Sequence, residues 1–372
     1  MSTILTKAQA LVQDLITLMP TQYQQDSLQA LLGLFLAATG SPLPQYCQTK
    51  SASALSRFLN QYHWSTRKII KAVRSAALQQ ILTQRLSKGR RPMLQVIIDL
   101  TTLEKRGKFK AFDKGIRVYH SKRGLHLVVM YLVVGQWRFP WSFRIYRGKG
   151  TPSPVQLGLR LLAGLPKALT QHFNVLVLAD TAFGSIEFLQ GVRQLKYHAI
   201  TGLRCDRKLA DGRRLAQLHK RGQQVRLAGL KFPVSLSWYY LKRDNGKLEK
   251  RYVLSTKVLK GSTITWWGKR RWSIEGFFKT VKHRFGLHRF GQQTLLGVYR
   301  WLVLSLTAYL LAHWIYLYFP TGRLPDWGEA AQKALKLLLP LIAILPMLAE
   351  IQRLQPLAKR YGIDINVTWC KI

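Results

Sequence analysis

Three acidic residues carry the chemistry this sequence offers. Asp99 closes the apolar, β-branched run that starts at Met93, and Asp180 closes a second, Asn174-Val-Leu-Val-Leu-Ala-Asp180. A carboxylate at the end of a buried strand is only partly solvated and needs a counter-charge, a hydrogen-bond donor or a metal. Taken singly, either aspartate serves as a helix cap, turn former or ion-pair partner, and Thr181 and Ser185 close behind Asp180 fit a cap. The third, Glu275, lies in Lys269-Arg-Arg-Trp-Ser-Ile-Glu-Gly-Phe-Phe-Lys-Thr-Val-Lys282. On a helix, Arg271, Glu275, Lys279 and Lys282 make one polar column opposite Ile274, Phe277, Phe278, Val281 and Phe285. A surface helix laced by i,i+4 ion pairs accounts for the column. It does not account for two apolar strands that end in aspartates. Together, three carboxylates from two strands and a helix can hold two divalent cations roughly 3.5–4 Å apart, for in-line displacement at phosphorus. Oxygen-only ligands suit Mg²⁺, with Mn²⁺ as a substitute, rather than zinc. The basic residues of the column would bind phosphates.

The elements needed to position these groups are legible around them. After Met93 to Leu100, two more strands are expected at Leu125–Val134 and Gln136–Arg147, split by Gly135. A helix at Pro154–Leu165, the strand ending at Asp180, a helix at Ser185–Leu195 and a strand at Tyr197–Leu203 follow. Three sequential strands and then α/β alternation predict an α/β fold, a mixed sheet with helices on both faces as in ribonuclease H-like proteins, and other mixed α/β folds share the pattern. Residues 204–265 are basic and strand-like, with a hairpin at Phe232–Leu241 and Lys247–Thr256 around Arg243-Asp-Asn-Gly246. They read as a β-rich insertion before the helical pattern resumes at Trp272. The first ninety residues read as helices. Two of them, Ser51–Asn60 and Thr66–Ser75, resemble a helix-turn-helix, with Ser65 as N-cap and Arg67, Lys68 and Lys71 on one side. A solvated helical hairpin fits the same pattern. The expected organisation is a helical N-terminal DNA-binding domain at 1–90, a catalytic core at 91–203 and 266–320, the insertion at 204–265, and a C-terminal helical segment at 321–372.

Composition narrows the partner. The chain has 372 residues, with 58 Lys and Arg against 16 Asp and Glu, a formal charge of +42. A typical domain of this length would carry about 46 of each sign. The imbalance is therefore mostly a shortage of acids. A hydrophobic fraction of 48% supplies a packed core and excludes a disordered basic arm. Such a charge fits a polyanion, and nucleic acid is the commonest. Cys47, Cys205 and Cys370 lack disulfide or zinc spacing. The N-terminal stretch is interrupted by Lys7 and Asp14, unlike a signal peptide, so a cytoplasmic, nucleoid-associated protein is expected. Trp301 to Phe319 carries no formal charge and approaches membrane-spanning length. A buried core helix looks the same, and the expectation is no membrane.

These residues resemble the DDE transposases of bacterial insertion sequences, within them the group with the signature Tyr-x-x-Arg-x-x-x-Glu-x-x-x-x-x-x-Lys. Arg271, Glu275 and Lys282 match its spacing, Asp180-Thr-Ala-Phe183 resembles the segment around the second aspartate, and Val96-Ile-Ile-Asp-Leu100 corresponds to the first. Gly268 stands where the signature has Tyr, beside Trp266 and Trp267. The resemblance, over roughly residues 90–320, implies a transposase that binds terminal inverted repeats in double-stranded DNA. It would cut the ends with Asp99, Asp180 and Glu275 around two Mg²⁺ and join 3′ hydroxyls to target DNA, as a homodimer in the DNA complex. Arg271, Lys279 and Lys282 would grip phosphates near the cut. Trp238 or Trp267, with Trp266 as a further choice, would stack on DNA by the general affinity of aromatic faces for bases. Glu104, Asp113, Glu187, His283 and His288 rank below this set. Competing readings are an inactive or domesticated DNA-binding descendant, a resolvase-like nuclease, and a membrane protein anchored by 301–319.

Overall fold

Strand β1 (Met93–Glu104) is buried almost throughout its apolar run, as a strand covered on both faces must be. It belongs to a computed structural model that describes residues 3–37, 43–85, 89–106, 115–119, 121–242, 246–319 and 326–368. The chain forms two units, one from Ala77–Lys279 and one from Met1–Ala76 together with Thr280–Ile372.

The first unit is built on a nine-stranded mixed sheet. Besides β1 it contains β2 (Arg117–Tyr119), β3 (Lys122–Val134), β4 (Trp137–Tyr146), β5 (Asn174–Ala179), β6 (His198–Leu203), β7 (Gln224–Val225), β8 (Val234–Lys242) and β9 (Leu248–Ser255). β1 pairs antiparallel with β3 and parallel with β5, and β5 pairs parallel with β6. This is the mixed sheet expected from the strand order. The inserted segment does not form a separate body: β9 pairs antiparallel with β6, and β8 and β7 follow outward, so the insertion lengthens the core sheet.

Side-chain alternation then decides which helix faces which residue. Ile98 points toward α5 (Pro154–Ala163), where a Cβ on Gly158 would lie 3.2 Å from its Cγ2. Ile97 and Asp99 therefore face the other way. On that face Tyr131, the β3 partner of Ile97, stacks on Phe277 of α9 (Ser273–His283), with ring centroids 4.4 Å apart. Helices thus cover both faces of the central strands. The short α6 (Lys167–His172) leads into β5, and α7 (Ile186–Gln194) packs on α5 and β6. A further helix, α8 (Gly261–Arg270), lies against β6, β8 and β9, and the sequence pattern did not announce it.

The second unit is helical: α1 (Ile4–Thr17), α2 (Gln22–Leu36), α3 (Ala52–Asn60), the first turns of α4 (Thr66–Leu82), α10 (Leu295–Tyr318), α11 (Trp327–Leu338) and α12 (Pro340–Arg360). α10 contains the apolar run and is packed by α1, α2, α3 and α11, so its length reflects a core helix. Here the compact units depart from the expected segments. Residues from Thr280 onward, expected to belong with the α/β core up to 320, join the N-terminal helices, because α10 has an apolar surface all round and those helices supply the cover.

Arg300 is the exception inside that core. Only 2% exposed, it donates to the carbonyls of Phe58, Leu59, Tyr62 and Trp64 and to Thr66 Oγ1, and its guanidinium lies 3.9 Å from the Trp64 ring centroid. These carbonyls belong to the end of α3 and the turn into α4, where helix geometry leaves acceptors unpaired. Ser65 accepts from Lys68 N as the expected N-cap, and Arg67, Lys68 and Lys71 are exposed on α4. In α12 no residue is buried; Leu341, Ile344, Met347, Leu354 and Leu357 face solvent.

Candidate active site

The pairing of β1 with β5 places Ile98 opposite Ala179. The next residue on each chain is an aspartate, so Asp99 and Asp180 occupy neighbouring positions although 81 residues separate them in sequence. Asp180 accepts a hydrogen bond from Ala182 N (2.9 Å) and so caps the short 3₁₀ turn Thr181–Phe183. The cap reading of this residue is therefore true as well. It fixes the carboxylate at the strand end. The turn is seated against β6 by Gly202, where any Cβ would run into Thr181 Oγ1 and the Thr181 backbone nitrogen. Gly202→Ala is expected to displace this turn and lower stability by about 1–3 kcal/mol, measurable by chemical denaturation. Unchanged stability would show that the contact yields freely.

Glu275 comes from the helix that covers the Asp99 face of the sheet, in the first turn of α9. The segment expected as one helix from Lys269 to Lys282 is two, α8 and α9, with Arg271 and Trp272 in the turn between them. From that turn Arg271 donates to Asp99 Oδ2 (2.8 Å) and to Glu275 Oε1 (3.1 Å). The i,i+4 ion pair is present, and the link to Asp99 adds what a surface helix does not explain. Asp180, Arg271 and Glu275 line a cavity of about 310 Å³ together with Thr201, Tyr239, Arg251, Gly268 and Trp272.

Asp99 is the electrostatic centre. Burial, then the negative charge of Asp180, raise its pKa from 3.8 to about 7; Arg271 and the Leu100 N–H pull the other way, and Glu275 adds a further push upward. Arg271 is shared between two of the three carboxylates. A set of carboxylate oxygens suits oxygen-coordinated divalent cations. Among the described residues no three His, Cys, Asp or Glu side chains gather around one point for a single ion. The charges of Asp180 and Glu275 nonetheless both act on Asp99. The sign of the pH effect follows. A carboxyl whose folded pKa is raised contributes stability that is complete below about pH 4 and is lost as pH rises through about 7. In chelator, the difference in unfolding free energy between wild type and Asp99→Asn should therefore shift against wild type across that interval. A pH-independent difference would contradict the raised pKa.

Of the other expected residues, Lys279 is exposed on α9, and Lys282 is half-buried in its last turn. Trp267 is half-buried, edge-on to the exposed Trp266, with ring centroids 4.5 Å apart. Trp238 is 5% exposed, in the doubly covered part of β8, with the Lys250 ammonium 4.3 Å from its ring. Glu104 pairs with Lys122, Glu187 sits in the first turn of α7, and His283 and His288 lie near each other, with ring centroids 6.0 Å apart. Asp113 lies outside the described residues.

The sequence reading missed Thr201, Tyr239, Arg251 and Trp272 in the cavity lining. Thr201 is buried and its hydroxyl has no hydrogen-bond partner among the described residues. Trp272 was adjacent to the signature arginine, a signal that was available. Gly268 has a physical reason for not being Tyr: a Cβ there would meet both methyls of Val253 at 3.0 Å, so glycine lets α8 lie close on β9.

Comparison with known proteins agrees with this geometry. The family described as "Transposase DDE domain" matches residues 90–311. No curated protein matches. Among solved structures, the chain is similar to a piggyBac transposase in a synaptic complex with hairpin DNA, determined by cryo-EM, at 13% identity and a TM-score of 0.51. The likeness covers 99% of this chain and 84% of that one and concerns the fold. With well over half its length matched by the family, and with its two strand-end aspartates and helix-borne glutamate drawn to one site, the chain belongs to the DDE-domain transposases.

Proposed function

We propose that this protein is the transposase of a bacterial insertion sequence, with a ribonuclease H-like core that binds the element's terminal inverted repeats, hydrolyses its ends and joins the 3′ hydroxyls to target DNA. One observation carries the reading: Asp99 and Asp180 at adjacent strand ends, with Glu275 tied to Asp99 through Arg271. Two Mg²⁺, or Mn²⁺ in their place, would be held by these three carboxylates and would supply an activated hydroxyl and charge neutralisation at the leaving oxygen. The chain's own residues position the rest. Lys279 and Lys282 offer cations for the phosphates of the cut strand, and Arg67, Lys68 and Lys71 offer an exposed basic face for the duplex. The apolar residues of α12 support self-association into a homodimer when two ends are paired. With α10 packed in the helical unit, a cytoplasmic, nucleoid-associated enzyme is the reading to test.

The experiment is an end-cleavage assay on duplexes carrying the nucleotide sequences that flank the gene, with and without Mg²⁺. Cleavage at the junction of element and flank, dependent on the cation, is the expected result. Cation-dependent cutting of branched DNA without regard to end sequence would favour a resolvase-like nuclease. Tight binding without cutting would favour an inactive descendant.

A further inference from the structure

Arg271 occupies an unusual place for a residue expected to hold phosphate. Its side chain is 15% exposed, and both terminal nitrogens are spent on carboxylates, Nη1 on Asp99 and Nη2 on Glu275. Those are two of the three groups that the proposed function assigns to cation binding, and the inference rests on that assignment. A guanidinium bridging two carboxylates puts a positive charge in the gap that a divalent cation bridging the same two would fill, so repulsion between the two sets one against the other. The arginine therefore holds the position of a cation.

It is also placed to leave. Arg271 ends α8 and α9 begins at Ser273, so its side chain can swing from the turn with no helix shifted and no backbone hydrogen bond of either helix broken. It lines the cavity shared with Arg251, Tyr239 and Trp272, so an anion that enters meets the guanidinium at its edge. A phosphodiester, like a carboxylate, offers a guanidinium two anionic oxygens that it can engage together. Exchange of one for the other keeps the arginine satisfied, which a move into water-free space would not.

We infer that Arg271 is the resident counter-ion of the Asp99–Glu275 pair and that a DNA phosphate draws it away, so that these carboxylates take a divalent cation readily only when DNA is bound. Binding of the two ligands is then mutually reinforcing, and by linkage each raises the affinity for the other by the same factor. The protein free of DNA would keep its carboxylates closed by an internal ion pair.

The test is Mn²⁺ binding to the full-length protein, read from the electron paramagnetic resonance signal of free Mn²⁺. It is run with and without a short duplex, and parallel titrations of Asp99→Asn remove ions bound by DNA or elsewhere. The wild-type, Asp99-dependent affinity should rise about tenfold or more when the duplex is added. Arg271→Met should bind Mn²⁺ without DNA about as tightly as wild type binds it with DNA. Arg271→Gln serves as a second variant, and thermal unfolding confirms that each is folded. Equal wild-type affinity in both conditions, unaltered in the two variants, overturns the inference and leaves the proposed function standing. No Asp99-dependent Mn²⁺ binding under any condition overturns the cation-binding assignment and the inference with it.

Discussion

Alanine at Asp99, Asp180 or Glu275 is expected to reduce cation-dependent end cleavage by about a thousandfold or more, since a cation's contribution to the transition state is several kcal/mol and each 1.4 kcal/mol is tenfold. Duplex binding, measured by mobility shift in chelator so that no cation contributes, should stay within a few-fold of wild type, because the exposed cations that offer phosphate contacts lie elsewhere. The three variants should part company in stability, which separates a reaction role from a structural one. Asp180→Ala removes the cap on the Thr181–Phe183 turn and should cost about 1 kcal/mol. Asp99→Ala removes a buried carboxyl whose pKa is raised by burial and by two acidic neighbours, so at neutral pH in chelator it should destabilise little or even stabilise. Glu275, with 46% of its side chain exposed, should be close to neutral. A variant that cleaves at the wild-type rate removes that residue from the site.

Replacing Arg300 should have the largest effect on folding. The side chain satisfies four backbone carbonyls and one hydroxyl, with no carboxylate paired to it among the described residues, and burial lowers its pKa to about 10, so it remains charged at neutral pH. Arg300→Met leaves several buried acceptors unpaired, at about 1–3 kcal/mol each, offset by release of the buried charge. A net loss of roughly 3 kcal/mol is expected in denaturant unfolding of the helical unit. Arg300→Lys should not rescue it, because an ammonium cannot span the fan of acceptors that the guanidinium reaches. Full stability in the lysine variant would show that charge alone, and not geometry, holds the turn between α3 and α4.

What was legible in the sequence was whatever rested on local apolar patterning. Runs such as residues 96–98 and 176–179 are buried on both faces and read as strands because nothing polar interrupts them. The two aspartates stood out for the same reason, as the first charge after each run. The remainder was non-local. Helix α8 begins Gly-Ser-Thr-Ile-Thr-Trp-Trp-Gly, poor in helix formers, and holds its shape against β6, β8 and β9. Trp238 was legible as an aromatic in a hairpin, yet its burial comes from elements that cover both faces of β8 between Val234 and Trp238. That the insertion would join the core sheet through β6 and β9 rests on register between segments about fifty residues apart. Arg271 was correctly spaced from Glu275, but its bond to Asp99 spans 172 residues and no local pattern records it.

The helical unit draws on both ends of the chain, and this bears on how the protein comes into being. α1 to α3 leave the ribosome early, yet α10, against which they pack, follows only after the whole sheet-bearing segment has been made. From the end of α3 to the start of α10 is about 235 residues, roughly 12 to 47 seconds of synthesis at 5–20 residues per second. Through that interval the apolar faces of the first helices lack their cover, and the carbonyls at the end of α3 await Arg300. A nascent chain cut short within the α/β segment would carry N-terminal helices without their core. The basic face proposed to contact DNA on α4 would then be completed only once α10 has been made, a check on the nascent chain that the order of synthesis imposes.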